Sequence, residues 1–141
     1  MGGSVRATSI PVATPIEDVF QVGPAVEVHG DVSTTRLSYT TVSGTIDGSV
    51  RVETIDSPGG MGLEVAGTIK GNLAATGGAT AEGFLSYAFI APGAAVARNV
   101  SLNLTAGSAI VQTDGSVGGN LRVSAADSVN SAVLKIGRAH V

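Results

Sequence analysis

Apolar residues fall at every second position through several stretches of this chain, with polar or small residues between them. The clearest stretch is Val65-Ala66-Gly67-Thr68-Ile69-Lys70-Gly71-Asn72-Leu73-Ala74-Ala75. A period of two belongs to a strand that buries one face. The residues that carry it are Val, Ile, Leu and Thr, which suit strands, and they form no helical stripe.

The same pattern recurs. With Gly67 as origin, Gly44-Thr-Ile46-Asp-Gly48-Ser-Val50-Arg-Val52 and Gly115-Ser-Val117-Gly-Gly119-Asn-Leu121-Arg-Val123 align with it. Ala94-Ala-Val96-Ala-Arg98-Asn-Val100-Ser-Leu102 is a weaker copy. The origins at 44, 67, 94 and 115 are separated by 23, 27 and 21 residues. Periods of this size mark repeat arrays whose units bury their apolar faces by stacking. The expected fold is all-β: a β-solenoid (β-helix) with coils of roughly 21–27 residues. Ile46, Ile69, Val96 and Val117 should form one buried column, and Val50, Leu73, Val100 and Leu121 another.

Gly44, Gly67 and Gly115, and then Gly48, Gly71 and Gly119, sit inside alternating runs where glycine weakens a strand. They predict bends or close backbone approach. The next position holds Ser49, Asn72, Asn99 and Asn120. Tolerance of turn geometry is the simpler account of these residues. A hydrogen-bonded ladder of Asn72, Asn99 and Asn120 between coils is the other.

Three segments follow. Residues 1–25 are an irregular or partial first coil, 26–135 the solenoid repeats, and 136–141 a tail foreign to the repeat. Pro11, Pro15 and Pro24 interrupt the first segment, where Pro15–Phe20 suits a helical turn or a loop. Met1-Gly2-Gly3-Ser4-Val5-Arg6 parallels Gly118-Gly119-Asn120-Leu121-Arg122, so the start resembles the second half of a unit. A genuine start and an internal methionine both fit. Val26-Glu-Val28-His-Gly30-Asp-Val32 resumes alternation and parallels the approach to the origin at Val65-Ala66-Gly67. Ser57–Gly62 and Thr76–Thr80 read as turn clusters. Ile136-Gly137-Arg138-Ala139-His140-Val141 resembles the translation of a widely used sequencing adapter, ATC GGA AGA GCA CAC GTC, in frame and followed there by a stop triplet. The expectation is that the natural sequence ends near Leu134 and that the protein continues beyond it.

Composition fits a narrow stack. Hydrophobic residues make up 43% of the 141 residues, aromatic residues only 4% and charged residues 13%. A net charge of −3 without a basic patch argues against nucleic acid as a partner. There is no cysteine, hence no disulfide framework or thiolate metal site. No apolar run is long enough for a helix to span a bilayer.

Candidate chemistry is sparse. His29 and Asp31 share a strand face, but solvent exposure explains them as well as catalysis does. Gly59-Gly60-Met61-Gly62-Leu63-Glu64 is a single, imperfect echo of a calcium nonapeptide. Asp47 and Lys70 share one repeat position, and Arg51 and Arg122 another. Both pairs read as outward, solvated positions rather than as an acid/base pair. Asn99-Val-Ser101 and Asn103-Leu-Thr105 fit the N-glycosylation pattern, which such a composition produces by chance. No catalytic residue, cofactor or metal is assigned. Phe84, Tyr87 and Phe89 are the best candidates for a contact surface, with cover of the solenoid flank as the plainer role.

The unit Gly-x-Ile/Val-x-Gly-Asn/Ser-Leu/Val-x-Val, carried by Gly44/Gly48, Gly67/Gly71 and Gly115/Gly119, resembles the Gly-rich repeats of large bacterial surface proteins of the adhesin and haemagglutinin kind. The resemblance covers about residues 26–134 and is one of style. It implies an extracellular or cell-surface solenoid with a structural or adhesive role and no catalysis. Its partners would be neighbouring coils of a longer chain, other copies through end strands, or surface glycans and proteins. Bactofilin-like cytoskeletal polymers share the Gly-x-Val/Ile alternation but are more regular and more charged. A β-helix carbohydrate enzyme would need clustered acids, whereas the acids here are scattered.

Overall fold

The computed structural model describes residues 5–8, 19–35, 39–57, 62–79, 85–105, 107–125 and 129–136. Every regular element among them is a β-strand. The chain passes through β1 (Val5–Thr8), β2 (Val19–Val22) and β3 (Glu27–Val28), then β4 (Val32–Thr35), β5 (Tyr39–Val42) and β6 (Thr45–Ile46). The next passes are β7 (Val50–Ser57), β8 (Gly62–Val65) and β9 (Thr68–Ile69), then β10 (Leu73–Ala79), β11 (Leu85–Ile90) and β12 (Ala95–Val96). They are followed by β13 (Val100–Leu104), β14 (Gly107–Thr113) and β15 (Ser116–Val117), and finally by β16 (Leu121–Ala125) and β17 (Val129–Ile136).

Strands in the same place on successive passes pair in parallel. Sheet A has the order β1-β4-β7-β10-β13-β16, sheet B β17-β14-β11-β8-β5-β2, and sheet C β15-β12-β9-β6-β3. Each strand therefore bonds to the equivalent strand one coil away, which makes the molecule a β-solenoid.

The predicted columns are present in register and buried except at their last members, Val117 and Leu121, which are only partly buried. Ile46 pairs with Ile69, Ile69 with Val96 and Val96 with Val117. Val50, Leu73, Val100 and Leu121 align in the same way. Ile46 and Ile69 are 0% exposed. Together with Val28, Val42, Leu63, Val65, Leu73 and their neighbours they form one continuous core. Thr34 and Thr40 are buried where sheet A turns towards sheet B, and their hydroxyls satisfy each other at 3.2 Å.

Four details differ from the expectation. Val28 pairs with Ile46, so Val26 occupies the origin itself and Val26–Val32 is a full copy rather than an approach to one. Its coil is 18 residues long, shorter than the expected range. Thr76–Ala79 is not a turn: it continues β10, and Gly77 and Gly78 are buried there. Val19 and Phe20 belong to β2 rather than to a helical turn. Residues 9–18, 58–61, 80–84 and 137–141, which hold Pro11, Pro15, Phe84 and most of the tail, lie outside the described residues.

Length varies at two corners and not at the third. The corner from sheet C to sheet A has one length throughout: Val28 to Val32, Ile46 to Val50, Ile69 to Leu73, Val96 to Val100 and Val117 to Leu121. It is also where the glycines meet neighbouring backbone. A Cβ on Gly71 would lie 2.6 Å from the Gly48 carbonyl oxygen, closer than atoms can pack. At the corner from B to C, a Cβ on Gly67 would strike the Gly44 carbonyl oxygen. Ala94 escapes this because its coil carries an extra turn. Ala94 N–H donates to Ala91 C=O at 3.0 Å around Pro92 and Gly93. Gly93 has φ +86°, as the third position of a type II turn requires.

The invariant corner carries a ladder. Ser49 N–H donates to Asp31 Oδ1 at 2.8 Å, and Asn72 N–H to Ser49 Oγ at 3.0 Å. Asn99 N–H donates to Asn72 Oδ1 at 3.1 Å, and Asn120 N–H to Asn99 Oδ1 at 2.8 Å. The ladder account of these asparagines therefore holds, in a particular form: the Asn72 and Asn99 side-chain oxygens each accept from the backbone of the next coil, and Asn120 enters as a donor.

Two outcomes follow. Ile69→Asp places an unpaired carboxylate in the column and should cost more than about 4 kcal/mol, enough to unfold the chain, whereas Ile69→Val should cost about 1 kcal/mol. Thermal melts of both variants check this. Asn99→Ala removes the acceptor for Asn120 N–H and should cost about 1 kcal/mol. Asn99→Ser should recover part of the loss, since Ser49 already fills that role; equal denaturation midpoints for the two variants would contradict the ladder.

Candidate functional site

Outward positions on sheet B bring the aromatics together. Side chains alternate along a strand, so Ser86, Ala88 and Ile90 of β11 point into the core while Tyr87 and Phe89 point out and stay half-buried. Tyr39 of β5, Gly62 of β8, Tyr87 of β11 and Ile110 of β14 share one outward column. Thr41, Glu64, Phe89 and Gln112 share the next.

Gly62 shapes this face. Strands in a sheet lie about 4.8 Å apart, so residues two strands apart begin about 10 Å from each other. Without a side chain at Gly62, the Tyr39 and Tyr87 rings close over it to a centroid separation of 5.8 Å, tilted by 48°. The Tyr39 hydroxyl donates to Glu64 Oε2 at 3.4 Å, at the long end of hydrogen-bond range. Burial raises the Tyr87 hydroxyl above the usual phenol value, and its bond with Tyr39 and the nearby Glu64 charge push the same way. A shallow groove of about 290 Å³ runs beside Tyr87 and is lined also by Ala88, Phe89, Ile110 and Gln112. Gln112 Nε2 donates to Asp114 Oδ2 at 2.7 Å on its rim.

Of the three aromatic candidates, Tyr87 and Phe89 thus share one outward face, and Phe84 lies outside the described residues. Tyr39 was missed. Its place five residues before Gly44 matches that of Gly62 before Gly67, but the extra turn in front of Ala94 shifts Tyr87 out of step.

A second cluster lies at the C-to-A corner. His29, Asp47 and Lys70 occupy the same repeat position on three successive coils. His29 Nδ1 lies 2.7 Å from Asp47 Oδ2 and 3.2 Å from Glu27 Oε1. Lys70 Nζ lies 3.0 Å from Asp47 Oδ1, in an ion pair rather than a well-aligned hydrogen bond. The His29 and Lys70 contacts hold the Asp47 carboxyl below its ordinary value, and Asp47 raises the Lys70 ammonium above its own. The partner of His29 is thus Asp47 rather than Asp31, whose Oδ1 serves the ladder.

Ligand atoms of Glu27, His29 and Asp47 lie within 4.8 Å of one another, a set able to approach a divalent cation. Lys70 already pairs with Asp47 there. Arg51 lies 3.9 Å from Glu53, both exposed, which contributes little. Of the calcium-like stretch, Glu64 accepts from Tyr39 instead. Asn99 Oδ1 is held by the ladder, and Asn103 Oδ1 accepts from Ser124 Oγ at 3.0 Å.

No protein-family model, curated protein or solved structure matches the chain.

The Asp47 network has a signed pH dependence. A depressed carboxyl stabilises the fold above its ordinary value of 3.8, and this is lost as pH falls through the lower folded value. The raised Lys70 stabilises below 10.5, and this is lost as pH rises through the higher folded value. Melting temperatures of the native chain and of Asp47→Asn should therefore differ by a constant amount at intermediate pH and converge on strong acidification. A gap that persists at the acid end would remove Asp47 as its source.

Proposed function

We propose that this chain is a structural and adhesive segment of a larger exported or cell-surface β-solenoid, without catalysis. One observation carries this reading. The same corner hydrogen bond recurs from coil to coil, while the outward residues of sheet B differ between successive coils. Such a chain is a rigid rod that displays varied chemistry along its length, as an extended contact surface requires. The half-exposed Tyr87 and Phe89 beside an apolar groove are the part of that surface best suited to hold a partner. The acids Asp47, Glu64 and Asp114 each have a partner of their own, which supports a display role over acid/base work.

Beads coated with the purified chain test this against cultured host cells and bacterial cells. The expected result is adhesion that falls about tenfold in Tyr87→Ala/Phe89→Ala, with the fold intact by circular dichroism. Absence of adhesion together with filaments in dilute solution would replace this reading with the bactofilin-like polymer. Release of sugar ends from polysaccharides would replace it with the carbohydrate enzyme.

A further inference from the structure

We propose that Tyr39 and Tyr87 are an oxidative crosslinking site, at which a peroxidase-class oxidant with hydrogen peroxide joins the two rings in an intramolecular dityrosine bond. They are the only tyrosines in the chain. They approach each other from strands that are not neighbours, with ring centroids 5.8 Å apart, because Gly62 leaves the space between them empty. The fold thus holds two oxidisable rings in the proximity that coupling needs, from positions 48 residues apart in the chain.

The surroundings supply the proton chemistry. A phenol that loses an electron must also lose its hydroxyl proton. Tyr39 O–H already donates to the Glu64 carboxylate, which can accept that proton as the electron leaves. Tyr87 contacts Tyr39 and lines the open groove, where an oxidant or its mediator can reach it. Each tyrosine gives up one electron and one proton to become a tyrosyl radical. The radicals couple through ring carbons ortho to the oxygens, and the two hydrogens on those carbons move to the oxygens to restore both phenols. The net change is one new C–C bond and the loss of two electrons and two protons. One hydrogen peroxide takes them and becomes two waters. The bond would tie β5 to β11 across β8 and limit the separation of three coils in the unfolded chain.

This inference does not depend on the adhesive reading. Dilute purified chain is treated with a haem peroxidase and hydrogen peroxide, and the monomer is isolated by size exclusion. The expected product is a monomer with dityrosine fluorescence, a mass lower by two hydrogens, and a peptide joining Tyr39 to Tyr87. Its melting temperature should exceed that of the untreated chain. Tyr39→Phe and Tyr87→Phe, each verified as folded by circular dichroism, should yield no crosslinked monomer. Glu64→Gln should crosslink several-fold more slowly, and an unchanged rate would remove Glu64 as the proton acceptor. Free tyrosine in the same mixture confirms that the oxidant is active. Uncrosslinked monomer under those conditions, or dityrosine confined to dimers, would overturn the proposal.

Discussion

Most backbone N–H groups at the corner between sheets C and A bond to carbonyls one coil earlier, but one at each corner takes a side-chain oxygen of that coil as its acceptor. Asp31, Ser49, Asn72 and Asn99 differ in size and charge, yet each places an oxygen 2.8–3.1 Å from the next coil's nitrogen. The position therefore requires a short side chain with an acceptor, not asparagine as such. Gly48, Gly71 and Gly119 just before it sit against the backbone or the ladder side chain of the coil below, although Arg98 takes this place before Asn99 and the bond still forms. With this corner fixed in length, the residue before it always enters sheet C and the residue after it always enters sheet A. Both core columns follow, because a slip of one residue would turn every side chain to the other face.

Variation is then confined to places where it does not disturb the columns. Extra residues collect between sheets A and B. Two coils also take in an extra turn before sheet C, at Pro24-Ala25 and at Pro92-Gly93, each with its own closing hydrogen bond. Coils of 18, 23, 27 and 21 residues stack in one register for this reason. Loop length costs little entropy compared with the apolar area that the shared columns bury.

Much of the core was legible in the sequence, because apolar alternation and corner glycines are local signals. Ile46, Ile69, Val96 and Val117 were aligned by sequence and pair in that alignment. Val28 was not placed with them, because Val26 stands where the other copies have a small residue and the coil that follows is short. Thr76–Ala79 differs from the turn expected of it because glycine suggests a turn, whereas here Gly77 and Gly78 are buried within a strand. Outward contacts were the least legible. Tyr39 meets Tyr87, and His29 meets Asp47, only through the number of residues each coil consumes. That number is set by turns whose length leaves no trace in the alternation.

The difference between ladder and surface has an electrostatic origin. A perfect repeat would stack identical residues about 4.8 Å apart at every outward position. Neutral amides and hydroxyls tolerate this, because each can accept from the coil beyond it. Ionised groups do not: two like charges about 5 Å apart repel by roughly 1 kcal/mol in water and several times more where solvent is partly excluded. The column through His29, Asp47 and Lys70 avoids that penalty by placing the carboxylate between two nitrogen bases, and its next members, Ala97 and Gly118, carry no charge. The one ionisable residue in the ladder, Asp31, is followed by Ser49 and asparagines rather than by another acid. A chain built by stacking can therefore repeat its polar joints but must vary its charges. Coil-to-coil differences on its surface are a condition of stability before they serve any function.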